Sequence, residues 1–338
     1  MSSKNQQHKA VDSPFYFPLG KGRYEVKPGL YKFPHDFGNG LADRQIFQFD
    51  ASFSRYRSEK LAARTERLEK YYCQHGFDNS VSSTINRFII QNLIKEHSEK
   101  FHLEKKRGEY ILHCRPSQEV LTFDRQYFLA KTSHQQSISP QYADGFDALA
   151  CQLQEDISVI HLTETGNDQV TALHLCFQNH WAAEKKIGKS FIDVHQPVPD
   201  MEKINQSAKK LVQVILHKGP FVRFAWGVTS DTRLNQHPEP ADMTKKDPWQ
   251  GRAFNPQQPE LYLRVERQTI HGFATEQLAL FTIRTYLYDI KQVHANFPDR
   301  IPLLISAIES MSVSSMRYKG IRTDAPAILN WLKELAVS

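Results

Sequence analysis

The segment "DISVIHLTETGNDQVTALHLCF", residues 156–177, restricts the fold more than any other part of the chain. Apolar and polar residues alternate in "SVIHL" and again in "VTALHLCF", and "TGND" between them has the composition of a turn. Alternation puts successive side chains on opposite faces of a strand, and a turn between two such runs is typical of a β-hairpin. The chain is therefore expected to contain an antiparallel sheet.

Further strands and helices surround this hairpin. A strand is predicted at "GPFVRFAWGVTS", and "ELYLRVERQTIHGF" and "LALFTIRTYLYDI" predict a second hairpin around "ATEQ". Between the hairpins, the spacing predicts a short helix, "WAAEKKIGKSFIDV", and a longer one, "DMEKINQSAKKLVQVILHKG". Helices are also predicted between residues 52 and 104 and at the C-terminus. This order lacks the regular β-α-β alternation of a doubly wound fold, so we expect the α+β class.

The chain divides by composition into two parts. Residues 1–50 are rich in proline, glycine and aromatic residues, which predicts an ordered but irregular lead-in that packs by its rings. Residues 51–338 are expected to form one domain. Within it, residues 51–149 are predicted to be helical, and residues 150–290 to be the sheet core.

Composition excludes several functional classes. The 43 Lys and Arg residues against 37 Asp and Glu give a net charge of +6, but the positive charges are scattered and form no basic stripe with interleaved aromatics, which disfavours nucleic-acid binding. No apolar run has the length of a membrane span, and the polar N-terminus lacks the core of a secretory signal. The four cysteines form no C-x-x-C pair, so we expect a reducing, cytoplasmic compartment.

His195 stands out because of its position in "KIGKSFIDVHQPVP". Pro197 and Pro199 cannot continue a helix, so the helix must end near Val194 and hold the histidine at a stiff bend. One interpretation is an ordinary helix-capping histidine. The other is an axial ligand to a planar cofactor, for which a fixed imidazole with apolar neighbours is suited.

The second hairpin carries arginines in strands that otherwise look buried. Tyr262, Arg264, Glu266 and Gln268 share one face of their strand, and Arg267 lies on the other. In the next strand Thr282, Arg284 and Tyr286 share a face. Buried arginines are costly unless they are paired. Arg264, Arg267 and Arg284 therefore either form internal ion pairs, with Glu266 for example, or meet an anion such as a cofactor carboxylate.

Three long segments, in order and spacing, resemble a known family. They are "LHLCFQNHWAAEKKIGKSFIDVHQPVP", "RVERQTI" and "LFTIRTYL", within a similarity that spans roughly residues 15 to 320. The chain resembles the catalytic α subunit of haem-dependent oxidative N-demethylases, also called dimethylamine monooxygenases. Trp181, Lys186 to Gly188, and His195 match the family's tryptophan, K-x-G and I-H-x-P-V-P positions.

The resemblance implies a PAS-like haem-binding fold, an antiparallel sheet with helices on one side and flanking helices at both termini. It implies haem b (iron) with His195 as the metal ligand. Lys186, Arg264, Arg267 and Arg284 are the further candidates for cofactor binding, the arginines by neutralising the haem propionates. Glu266, Tyr286 and Trp226 are candidates for the environment of a small ammonium substrate.

The activity implied is oxidation of dimethylamine, or a similar small secondary amine, by O2 to methylamine and formaldehyde. Electrons would come from NADPH through a separate flavin and iron–sulfur reductase subunit, and a folate-binding subunit would capture the formaldehyde. A haem-binding PAS-like sensor or carrier without turnover is the alternative. "IHGFATEQ" and "QNHW" depart from the family pattern; we expect both in loops, where they would affect substrate choice.

Overall fold

The computed structural model describes residues 13–133, 138–239 and 253–338, so the first twelve residues of the predicted lead-in lie outside it. Its strands are β1 Tyr31–Lys32, β2 Tyr72–Gln74, β3 Phe101–Lys106, β4 Glu109–Cys114, β5 Glu119–Phe123, β6 Leu129–Ser133, β7 Asp156–Leu162, β8 Asp168–His174, β9 Phe221–Thr229, β10 Tyr262–Phe273 and β11 Leu278–Asp289. Its helices are α1 Phe53–Arg67, α2 Asn79–Glu96, α3 Gly145–Ala150, α4 Phe191–His195, α5 Glu202–Asn205, α6 Ala208–Lys218, α7 Ile290–Asn296, α8 Arg300–Glu309, α9 Val313–Tyr318 and α10 Ala325–Leu335.

A seven-stranded antiparallel sheet forms the centre of the fold, in the order β1-β9-β10-β11-β7-β8-β2. Both predicted hairpins are present, β7–β8 and β10–β11, and β9 pairs with β10 along its whole length. Helices and antiparallel strands together confirm the α+β class. "IHGF" belongs to β10, so the prediction that this departure lies in a loop is wrong for those four residues.

The helical prediction for residues 51–149 is wrong over residues 101–133. These form a second, four-stranded sheet in the order β3-β4-β5-β6. The turn between β3 and β4 is made by Arg107 and Gly108, with φ of 50° and 86°. Two adjacent residues at positive φ match the right-handed twist of a two-residue hairpin. The many charged residues of "HLEKKRGEY" resemble an exposed helix, and the apolar residues that alternate on either side of the turn are too few to indicate strands from the sequence.

Two predicted helices are shorter than expected. The helix predicted over "WAAEKKIGKSFIDV" is one 3₁₀ turn, Ala183–Lys185, followed by the five-residue α4. Gly188 separates them, with φ of 71°, a conformation that ends a helix and suits glycine. The longer helix predicted after it is divided into α5 and α6 at Gln206 and Ser207.

Helices cover both faces of the large sheet, which corrects the expectation of helices on one side. On one face, α6 packs on Ile270 and Ala279. On the other, α2, α3 and the second sheet pack on β7 and β11, and the C-terminal helices pack on Leu263 and Val265. Gly272 faces α6: a Cβ there would lie 2.3 Å from the Leu216 carbonyl oxygen, so only glycine permits this approach of the two backbones.

The described part of the lead-in, residues 13–50, is irregular apart from β1 and a 3₁₀ helix at Gly40–Arg44, and it packs through its rings. Phe15 stacks on Phe297 with centroids 4.6 Å apart and meets Tyr288 edge-on at 4.9 Å. Within the described ranges, none of the helices combines the length and apolarity needed to cross a bilayer.

Candidate functional site

A cavity of about 660 Å³ opens on the α6-facing side of the large sheet and continues around the free edge of β9. Its walls come from the lead-in, from β7–β11, from α4 to α6, and from Tyr318 at the end of α9 with Lys319 after it. The volume is in the range of sites that hold a cofactor or a small molecule. His195, Trp226, Arg264, Glu266 and Lys186 of the predicted site residues lie in these walls.

His195 is the last residue of α4, whose N-cap Ser190 accepts a hydrogen bond from the Asp193 amide. The His195 Nδ1 lies 2.7 Å from the Phe191 carbonyl oxygen. A carbonyl can only accept, so Nδ1 carries the proton and Nε2 keeps its lone pair. No group in the described ranges hydrogen-bonds to Nε2. The helix therefore presents one free, metal-competent nitrogen to the cavity.

The protonation state of His195 follows from its surroundings. Burial lowers the pKa of the imidazole, and the Phe191 carbonyl opposes that shift only in part, while the nearby Arg223 adds to it. The neutral form, which is the one that binds metals, therefore predominates at pH 7.

Lys186 supports α4 from the cavity wall. Its Nζ donates to the Val194 carbonyl oxygen at 2.6 Å. That carbonyl is at the last turn of a one-turn helix, where backbone acceptors lack intrahelical partners. The lysine thereby fixes the end of the helix beside His195.

Arg264 and Glu266 lie together on the cavity face of β10. The Arg264 Nη2 donates to the Phe177 carbonyl oxygen at 2.6 Å, and its Nε lies 3.8 Å from the Glu266 Oε1. The Glu266 Oε2 accepts a hydrogen bond from Gln268 Nε2 at 3.1 Å. Among the described residues, the buried Nε of Arg264 has no hydrogen-bond partner. Arg264 is thus held by a hydrogen bond to the backbone, while its Nε–H remains available to a ligand.

Arg223 is a cavity residue that the sequence interpretation missed. It lies on β9 directly opposite Gln268, on the same face as Arg264 and Glu266. Its buried Nε has no hydrogen-bond partner in the part of the chain that the structure describes. Burial lowers the pKa of Arg223, and the negative charge of Glu266 opposes that shift. The sequence does contain a signal for this residue, an arginine within the apolar strand "GPFVRFAWGVTS". As in β10 and β11, a buried arginine in such a strand needs either an internal ion pair or an anionic ligand.

Arg267, Arg284 and Tyr286 lie on the opposite face of the sheet and do not line the cavity. Arg267 stands opposite Arg284 and donates to the Gln45 carbonyl oxygen at 2.8 Å. Arg284 pairs with Asp50 at 2.8 Å, and the Tyr286 hydroxyl donates to Gln48 at 2.5 Å. The sheet thus separates these three from His195. Arg284 is held by its ion pair with Asp50, although its Nε and Nη1, like those of Arg267, have no hydrogen-bond partner among the described residues.

Trp226 and Glu266 reach the cavity from different faces of the sheet. Trp226 stands opposite Val265, on the face away from Glu266, and its ring meets Tyr24 edge-on at 5.8 Å. It reaches the cavity because β1 pairs only with Phe221 and Val222, which leaves the rest of that edge of β9 without a neighbouring strand in the described ranges. The predicted catalytic set of Glu266, Tyr286 and Trp226 is therefore not one cluster.

The cavity walls carry more basic than acidic side chains. The acidic ones are Glu25, Asp168 and Glu266, and the basic ones other than histidine are Lys21, Arg23, Lys27, Lys186, Lys189, Arg223, Arg264 and Lys319. Such an excess of positive charge in a concave site favours an anionic ligand.

A second polar cluster, Asp147, Cys151 and His174, is fully buried elsewhere, with ligand atoms within 4.8 Å of one another. Arg64 already binds both carboxylate oxygens of Asp147, at 2.9 and 2.7 Å, and His174 Nε2 lies 3.2 Å from it. Burial raises the pKa of the Cys151 thiol to about 12, which disfavours the thiolate that metals bind. These contacts favour an internal ion-pair network over a metal centre.

A family model described as haem-dependent oxidative N-demethylase, alpha subunit-like, matches residues 39–329 of the chain. The match includes α4 with His195 and the three strands β9, β10 and β11 that carry the polar wall of the cavity.

Proposed function

The chain belongs to the haem-dependent oxidative N-demethylase, alpha subunit-like family, and we propose that it uses haem b and O2 to convert dimethylamine into methylamine and formaldehyde. The observation that carries this proposal is the free Nε2 of His195, presented to a basic cavity of about 660 Å³ by a short helix. We assign His195 as the iron ligand. Its Nδ1 hydrogen bond to the Phe191 carbonyl is the kind of contact that orients metal-bound histidines.

The charges of the cavity fit the two carboxylates of a haem. Arg223 and Arg264 each keep an unpartnered, buried Nε on the same face of the sheet. Buried guanidinium N–H groups without acceptors are costly, and a carboxylate supplies the acceptor and the opposite charge. We assign Arg223 and Arg264 to the propionates. Lys186 acts indirectly by fixing α4. In the core, Arg284 pairs with Asp50 and Arg267 donates to the Gln45 carbonyl oxygen.

When bound, haem supplies the iron centre at which O2 is reduced and the methyl group is oxidised. The protein's own residues bind and orient the amine. Glu266 offers a carboxylate that attracts a small ammonium ion and can accept its proton. The Trp226 and Tyr24 rings, 5.8 Å apart at the β9 edge, lie on the other face of the sheet, so their cation–π attraction would act at a separate position and not on an amine held by Glu266.

The electrons would come from NADPH through a flavin and iron–sulfur reductase subunit, and a folate-binding subunit would take up the formaldehyde. The sequence is consistent with this division, because it has no dinucleotide-binding fingerprint and no C-x-x-C pair. We propose a PAS-like haem domain within a cytoplasmic hetero-oligomer.

The purified protein is expected to show a Soret band that shifts on reduction with dithionite and responds to dimethylamine. With dimethylamine, O2 and an electron donor, it should release formaldehyde and methylamine in equal amounts. A Soret band without turnover, in the presence of the reductase, would favour the sensor or carrier. Colourless protein that takes up no added haem would contradict both.

Arg223→Gln is expected to weaken haem binding by about 10-fold, because it removes one of the two guanidinium groups assigned to the propionates. The measurement is haem transfer to apomyoglobin, followed by absorbance. Arg322→Gln is the matched control, since Arg322 is exposed and does not line the cavity. Equal rates of haem transfer from the two variants would show that Arg223 does not bind the haem.

A further inference from the structure

Lys319 enters the cavity from the C-terminal part of the chain. It follows α9, and its stem crosses β9 at Gly227, where a Cβ would lie 3.7 Å from the Lys319 Cδ. The Nζ donates to the Trp226 carbonyl oxygen at 2.7 Å. That carbonyl belongs to the edge of β9 that has no neighbouring strand in the described ranges. The backbone thus holds this amine inside the walls that also contain His195.

The surroundings of Lys319 lower the pKa of its amine. It forms no ion pair with a carboxylate in the part of the chain that the structure describes. Burial lowers its pKa; Glu266 opposes that shift, and Arg223 and Arg264 reinforce it. In its neutral form the amine donates one hydrogen bond to the Trp226 carbonyl oxygen and keeps its lone pair, so it can act as a nucleophile toward a carbonyl carbon.

We propose that Lys319 is a reversible covalent acceptor for small aldehydes formed in the cavity, formaldehyde in particular. The amine nitrogen bonds to the aldehyde carbon, the carbonyl π bond breaks, and one amine hydrogen moves to the oxygen to give a carbinolamine. Loss of water, which takes the second amine hydrogen, then gives a methylene imine. Hydrolysis reverses both steps, and no oxidant or reductant is consumed.

The source of the aldehyde rests on the proposed N-demethylation. Covalent storage would keep formaldehyde from free thiols and amines until it leaves the cavity. The competing role for Lys319 is a permanently charged ammonium that pairs with a cofactor carboxylate, and this role makes the opposite prediction for reactivity.

The test uses the haem-loaded, full-length protein, ¹³C-formaldehyde and sodium cyanoborohydride at pH 7, followed by peptide mass mapping. Imine reduction leaves a labelled methyl group on the lysine. We expect Lys319 to be labelled faster than Lys291, an exposed lysine on α7, because the lowered pKa of Lys319 raises the fraction of its amine that is neutral. Lys319→Arg, which keeps a cation and hydrogen-bond donors, should lose only this label.

Labelling of Lys319 no faster than that of Lys291 would overturn the proposal, and labelling only after haem removal would assign Lys319 to the carboxylates instead. Because formaldehyde is added directly, neither result depends on turnover. Failure of N-demethylation would appear separately, as absence of formaldehyde from dimethylamine.

Discussion

His195→Ala is expected to lose more than about 100-fold in haem affinity and to be isolated nearly colourless. Contacts that merely orient a metal ligand are worth 10- to 100-fold, so loss of the ligand itself should cost more. The measurement is the haem-to-protein ratio after gel filtration, with circular dichroism to show that the fold is retained. His195 is the last residue of a five-residue helix that lies outside the large sheet, so its truncation leaves that sheet intact.

His217→Ala is the matched control, because His217 is exposed on α6 and does not line the cavity. It should keep full haem content. His195→Gly supplied with free imidazole should regain part of the Soret band, since the small ligand can occupy the vacated space. Retention of a full complement of haem with an unchanged spectrum in His195→Ala would show that another residue binds the iron.

Arg64→Met is expected to lower the free energy of unfolding by about 3–5 kcal/mol, because it leaves the Asp147 carboxylate buried without its main partner. Both side chains of this pair are fully buried, and the Arg64 Nη2 lies 2.7 Å from the Asp147 Oδ2. Urea denaturation followed by circular dichroism measures the loss. Arg67→Met is the control: its ion pair with Glu239 is exposed, so it should cost no more than about 1 kcal/mol.

The same pair predicts a pH dependence. Burial alone would raise the pKa of Asp147, but hydrogen bonds from His174 and Arg64 outweigh it and hold the pKa at about 2, below the ordinary 3.8. The ionised carboxylate therefore stabilises the fold above about pH 4, and that contribution is lost as pH falls toward 2. The stability difference between wild type and Arg64→Met should shrink over this range; a constant difference would contradict the assignment.

The parts of the fold that the sequence predicts are those where one local pattern decides the structure. In β7–β8, apolar and polar residues alternate and "TGND" joins the two strands, so the repeat and the turn predict the same hairpin. β10–β11 was predicted from two long strand-like segments on either side of "ATEQ". The second sheet was missed because β3 presents mostly exposed charged residues, which resemble a solvated helix when its partner strands are not considered. The pairing of β3 with β4, and of β4 with β5, depends on contacts between strands that the composition of a single strand does not record.

The candidate site shows the same limit. The alternation along β10 correctly separates Arg264 and Glu266 from Arg267, but it does not tell which face meets the cavity. That depends on where α4 and α6 pack. In the sequence, Arg267 and Arg284 are as good candidates for binding a carboxylate as Arg264, yet they lie on the face of the sheet away from His195. Arg223, on the neighbouring strand β9, was not predicted. The proline-limited helix end, in contrast, located His195 within one residue of the observed end of α4.

The contact between Gly272 and α6 has a consequence for substrate range. Leu211 and Ile215 of α6 form part of the cavity wall, and the distance of their helix from the sheet is set where the Leu216 carbonyl meets a residue that has no side chain. A methyl group at position 272 would push α6 away from the sheet and displace all of the cavity wall that α6 forms. Variants that accept bulkier amines should therefore arise by trimming the two aliphatic side chains, which enlarges the chamber locally while the spacing between backbones stays fixed.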